Sequence, residues 1–137
     1  MLTSKQCWLL YGDPEKQKDM MTWQVPTELQ QGKIPHKVYC NKDMVPPLEQ
    51  AFRNLVKRGL TEELHTWDGC FNIRRKRGGS SSFSLHSWGV AIDLNASENP
   101  MGRKPVLSPE FVACFTDAGL EWGGVWHTPD GMHFQLK

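Results

Sequence analysis

Apolar positions recur along the chain with two different periods. Leu48, Ala51, Phe52, Leu55, Val56 and Leu60 fall at the spacing of one helical face, with Gly59 near the end, and predict an amphipathic helix. Phe111, Val112, Phe115 and Leu120 repeat the pattern behind Ser108, whose hydroxyl suits an N-cap, with Gly119 closing the segment. Elsewhere the period is two. Val90, Ile92 and Leu94 alternate with Ala91, Asp93 and Asn95, and Met132, Phe134 and Leu136 alternate with His133 and Gln135, which predicts two strands with their apolar sides inward. "PHKVYC" (35–40) and "HTWDGCF" (65–71) read as further short strands, and "RRKRGGSSS" (74–82) as a loop. Residues 1–34 are polar and punctuated by proline; there Trp8, Trp23 and Val25 are the expected anchors, and a short helix is expected from Pro14 to Trp23.

Composition narrows the classes. A chain of 137 residues, 39% apolar, fits one domain over 1–137 that hides roughly two-thirds of the unfolded chain's surface. Sixteen Lys plus Arg against fifteen Asp plus Glu leave a formal charge of +1, so no general field favours nucleic acid or an anionic membrane, and specificity must be local. The apolar run "CWLLY" (7–11) is too short to export or anchor the chain, so no stable membrane anchoring is expected. Cys7, Cys40, Cys70 and Cys114 are scattered, without a C-x-x-C pair, and are expected as reduced, packed thiols; a disulfide or a structural zinc site built from them is the lesser alternative.

Two of the strands each carry a metal-competent side chain on the polar face, Asp93 and His133. His86 precedes the first across Gly89; seven residues from Asp93, it would face the other way on an unbroken strand, and a glycine turn lets the two converge. Two imidazoles and one carboxylate form a common catalytic zinc shell that leaves a fourth position open. Asp130, three residues before His133 in a Pro-Asp-Gly turn, is the expected general base and later acid, and Arg74 the expected partner of the oxyanion, with Arg77 as its substitute.

These residues form two ordered motifs. S-x-H-x-x-G-x-A-x-D is present as Ser84, His86, Gly89, Ala91 and Asp93; W-G-G-x-W and D-x-M-H-F are present as Trp122 to Trp126 and Asp130 to Phe134, after "GCFNIR" (69–74). Over about residues 35–137 the chain resembles the zinc peptidases of the D-alanyl-D-alanine carboxypeptidase (VanY-like, M15) family, especially small phage endolysins with L-alanyl-D-glutamate endopeptidase activity. The resemblance implies an α+β fold, a small mostly antiparallel sheet with flanking helices of the Hedgehog/DD-peptidase kind. It implies one Zn2+ held by His86, Asp93 and His133, with Asp130 as the catalytic carboxylate, where Glu is commoner in the family, and Arg74 on the scissile carbonyl. Residues 1–34 match no motif.

The function expected is hydrolysis of the peptidoglycan stem peptide at the L-Ala-D-Glu bond, by a monomer made in a host cytoplasm without a signal peptide and acting on the periplasmic wall after release. A D-Ala-D-Ala carboxypeptidase using the same metal chemistry is the alternative, and a non-catalytic zinc-stabilised wall-binding module a third. Ser84 is given a hydrogen-bonding role around the site, and Trp88, Trp122 and Trp126 are expected as walls of the substrate groove. His36, His65 and His127 are expected as surface or packing histidines. Glu121 lacks the spacing of a base, and "RRKR" without a nucleic-acid-binding fold is read as a solvated basic loop, with no nucleic acid as partner.

Overall fold

The computed structural model describes residues 1–77 and 81–137. Gly78, Gly79 and Ser80 of the expected basic loop lie outside the described residues. The fold is α+β. In chain order come α1 (Ser4–Tyr11), β1 (Met20–Gln24), β2 (Lys37–Asn41), α2 (Val45–Lys57), β3 (Trp67–Gly69), β4 (Ala91–Leu94), α3 (Pro109–Thr116), β5 (Leu120–Trp122) and β6 (His133–Leu136). β1 and β2 form a two-stranded antiparallel sheet, and the other four strands form an antiparallel sheet in the order β3-β4-β6-β5.

The alternation in β4 and β6 decides what lies on each face of the larger sheet. Ile92, Leu94, Leu120 and Phe134 join Leu48, Phe52 and Leu55 of α2 and Phe111 and Phe115 of α3 in the main core. Full burial of each such side chain contributes roughly 1.5–3 kcal/mol. A second apolar cluster gathers Cys7 of α1 with Leu85, Trp88, Val90 and Ala91. Asp93, His133 and Gln135 remain as the polar part of the sheet surface that α2 and α3 do not cover.

Four expectations change. Pro14 to Trp23 is not a helix: only Pro14–Lys16 makes a single 3-10 turn, and Met20–Gln24 is extended because it pairs with β2. The N-terminal helix is α1, closed at its start by a reciprocal pair of hydrogen bonds between Thr3 and Gln6. Trp8, expected as an anchor, is 43% exposed, whereas Trp23 and Val25 are buried. β5 was not expected from its three residues. The four cysteines are buried free thiols, as expected, and burial pushes Cys7 and Cys40 up to about 12. Among the described residues no helix is long and apolar enough to cross a membrane.

Candidate metal centre

β4 and β6 are paired so that Asp93 stands directly opposite His133. Residues opposed across an antiparallel pair present their side chains to the same face, which brings carboxylate and imidazole together. His86 comes from a 3-10 turn, Leu85–Trp88. Ser84 caps that turn by accepting from the His86 backbone N–H at 3.3 Å, and Gly89 ends it at φ 66°. Glycine is required there twice over: the backbone is left-handed, and a Cβ would lie 2.7 Å from the Asn41 nitrogen and 2.6 Å from the Met20 methyl. The Asn41 N–H donates to the Gly89 carbonyl at 3.0 Å, so the small β1–β2 sheet fixes the turn that carries His86.

His86 Nε2 lies 3.2 Å from Asp93 Oδ2, and His133 Nδ1 lies 3.4 Å from Asp93 Oδ1. The two rings meet edge to face at 5.2 Å, and one donor atom from each of the three residues falls within 4.8 Å of the others. The far side of each ring is occupied. His86 Nδ1 donates to the Cys70 carbonyl at 2.7 Å, and His133 Nε2 donates to Gln135 Oε1 at 2.9 Å. That leaves His86 Nε2 and His133 Nδ1 with lone pairs turned to Asp93. His86 Nε2 and Asp93 Oδ1 are buried without a hydrogen-bond partner, a costly state that a shared cation would relieve. Donor set, tautomers and orphaned atoms therefore fit a divalent metal with N2O ligation.

Charge in the group is strongly coupled. Burial alone would raise the Asp93 carboxyl, but contacts with His133 and His86 outweigh it and hold it well below the usual carboxylate range. Burial alone would lower His133; its contact with Asp93 outweighs that and raises it. Asp130 Oδ2 lies 4.0 Å from His133 Nδ1, and burial raises the Asp130 carboxyl, with the His133 charge opposing.

The group sits where two cavities meet. One, of about 240 Å3, is walled by Leu2, Met101, Trp126 and Met132 and contains Asp93, Asp130 and His133. The other, of about 260 Å3, is more polar, with Asp68, Asn72 and His86 in its lining. Arg74, Arg77, Asp93 and Met132 border both, and Lys76 borders only the first. The expected site residues His86, Asp93, His133, Asp130, Arg74 and Arg77 thus share one cleft.

Ser84 lines the first cavity as well as capping the His86 turn. Of the three tryptophans, only Trp126 lines either cavity, the first, 5.3 Å from the His133 ring, with its Nε1 donating to Glu121 Oε2. Trp88 donates instead to the Gly12 carbonyl and packs against Trp8 and Phe83. Trp122 stacks on Phe134 and donates to the Gly131 carbonyl, bracing the turn before β6. The groove-wall role expected for those two is therefore a packing role. His36, His65 and His127 are exposed, with His65 paired to Glu98 at 2.6 Å.

Two contributions were not anticipated. Gln135 stands behind His133, and its amide nitrogen donates to the Leu2 carbonyl at 3.4 Å; the sequence carried half of this signal, since both side chains fall on one strand face. Met1, Leu2 and Thr3 form part of the first cavity's wall, and nothing in their pattern indicates it.

A family model described as D-alanyl-D-alanine carboxypeptidase matches residues 77–136, a span that contains the three ligand candidates, Asp130 and Arg77 but not Arg74. Neither the curated proteins nor the solved structures contain a match to the chain.

Proposed function

We propose, from the likeness of residues 77–136 to a D-alanyl-D-alanine carboxypeptidase family model, that this chain is a peptidoglycan-acting metallopeptidase of the M15 family and, more narrowly, a zinc endopeptidase that cuts the stem peptide between L-Ala and D-Glu. The observation that carries the endopeptidase reading is the position of the metal group at the junction of two cavities. A substrate chain laid through them continues on both sides of the group, as an internal bond requires. D-Glu, linked onward through its γ-carboxyl, keeps a free α-carboxylate beside the scissile bond. Arg74 and Arg77 on both cavities, with Lys76 on one, supply complementary charge.

His86, Asp93 and His133 would hold the zinc, whose contribution is that of a Lewis acid. Asp130, in the cleft beside His133, takes a proton from the attacking water as its oxygen bonds to the carbonyl carbon. It returns that proton to the amide nitrogen as the C–N bond breaks. Arg74 or Arg77 stabilises the negative charge that gathers on the carbonyl oxygen. The wider role we propose is that of a phage endolysin, reaching the wall from the periplasmic side.

The matched family's description favours a second reading, a D-Ala-D-Ala carboxypeptidase, in which the same cations would hold a terminal carboxylate. Digestion of purified Gram-negative sacculi by wild type and Asp130→Ala, with mass spectrometry of the fragments and metal analysis of both proteins, separates the two. The expected result is new termini between L-Ala and D-Glu from the wild type, and a metal-loaded variant slower by about 10²–10⁴-fold. Release of D-Ala alone would move the function to the carboxypeptidase.

A further inference from the structure

Helix α1 is built inside out. Its buried side carries only Ser4 and Cys7, while Leu9 and Leu10 are 79% and 59% exposed, beside exposed Met1 and Trp8. Helix α2, by contrast, buries Leu48, Phe52 and Leu55. Two grooves flank Leu9. One, of about 440 Å3, lies between Met1, Leu10 and Lys137; the other, of about 460 Å3, between Lys5, Trp8, Arg75 and Phe83.

The charge carried by the segments that build this face is one-sided. Residues 1–12 and 69–92 contain Lys5, Arg74, Arg75, Lys76 and Arg77 and no Asp or Glu, so the rest of a chain of net charge +1 is net negative. The two acid-free runs are packed together: the Ser4 hydroxyl donates to the Phe83 carbonyl, and the Trp8 ring lies 6.0 Å from Phe83 and 5.9 Å from Trp88. Among the described residues none of these five cations, nor Lys137, forms an ion pair. Arg75 instead lies over the Phe83 ring.

We propose that α1 with Lys5, Arg75 and Lys137 is a docking surface for an anionic phospholipid bilayer, with Leu9, Leu10 and Trp8 entering the headgroup and acyl boundary and the cations meeting lipid phosphates. Apolar side chains interleaved with unpaired cations are what such a surface binds, and an indole at the rim suits the interface. A second copy of the chain is a poorer occupant, because two such faces would oppose like charges. Nucleic acid would use the cations and leave Leu9 and Leu10 in water. Met1 belongs both to this face and to the cleft wall, so docking sets the cleft mouth beside the lipid. The proposal goes beyond the peptidase reading and does not depend on it.

The test is co-sedimentation of the full chain with vesicles of phosphatidylglycerol and phosphatidylethanolamine, and with vesicles of phosphatidylcholine alone, at low and high salt. Wild type is compared with Lys5→Glu and with the double variant Leu9→Glu/Leu10→Glu. The altered side chains are exposed, so thermal midpoints should stay at the wild-type value and certify folding. The expected result is salt-sensitive binding to the anionic vesicles, reduced at least about fivefold by Lys5→Glu and abolished by the double variant. Equal binding to both vesicle types, or undiminished binding by the double variant, would overturn the proposal. So would a concentration-dependent dimer that the double variant abolishes without any vesicle binding, or capture of a duplex oligonucleotide in place of vesicles.

Discussion

At the scale of single residues, the site depends on which nitrogen of each histidine faces Asp93. His86 settles this with a backbone carbonyl, which no substitution removes, but His133 settles it with the Gln135 side chain. Gln135→Leu should therefore free the His133 ring to rotate or change tautomer and weaken metal binding by about 10–100-fold. Gln135→Glu keeps an acceptor and should retain affinity near the wild-type value. Competition with a chromophoric chelator measures both without reference to hydrolysis, and equal affinities for wild type and Gln135→Leu would remove Gln135 from the site. The ligand candidates were legible in the sequence because side-chain type and strand parity are local properties. The work of Gln135 was not, since it depends on ring orientation. The tryptophans mislead for a similar reason: Trp88 and Trp122 lie within the motifs in sequence, yet each is turned into packing by a partner distant along the chain, Gly12 or Phe134.

At the scale of elements, the site needs a turn that reverses the parity between His86 and Asp93, and Gly89 is the residue that makes it. Gly89→Ala forces a side chain into left-handed backbone and into the Asn41 nitrogen of β2 at the same time. The strained conformation alone costs on the order of 1–3 kcal/mol, and relief requires the turn to move away from β2, carrying His86 with it. Thermal denaturation should show the destabilisation and metal titration a parallel loss of affinity. A variant that is less stable but binds metal normally would show that His86 is held by other contacts. Strands β4 and β6 and helices α2 and α3 were legible because each turns an apolar face into the main core, so the period is written in residue type, although the polar face of β4 and β6 is largely buried too. Helix α1 was hidden because its exposed side is the apolar one. β1 was misread because its extended state comes from pairing with β2, a partner more than ten residues away.

At the scale of the whole molecule, metal and proton compete for the same groups, and the sign of each effect can be worked out. In the metal-free protein His133 is raised by Asp93, so its contribution to stability is full below the ordinary histidine value of about 6.5 and is lost as pH rises through the folded value. Asp130, raised by burial, adds a loss in the same direction as it ionises. Asp93, held low, contributes above the ordinary carboxylate range and loses that contribution only as pH falls below it. The metal-free chain should thus lose stability over the interval that opens at the ordinary histidine value of about 6.5 and closes above the raised folded value of His133. Metal binding needs both imidazoles neutral and discards the proton on His133, so its affinity, and the stability it lends to folding, should grow over that same interval. The gap in thermal midpoint between zinc-loaded and chelated protein should accordingly widen as pH rises. A gap constant across the interval would mean that no proton leaves on binding, and His133 would then not be a ligand.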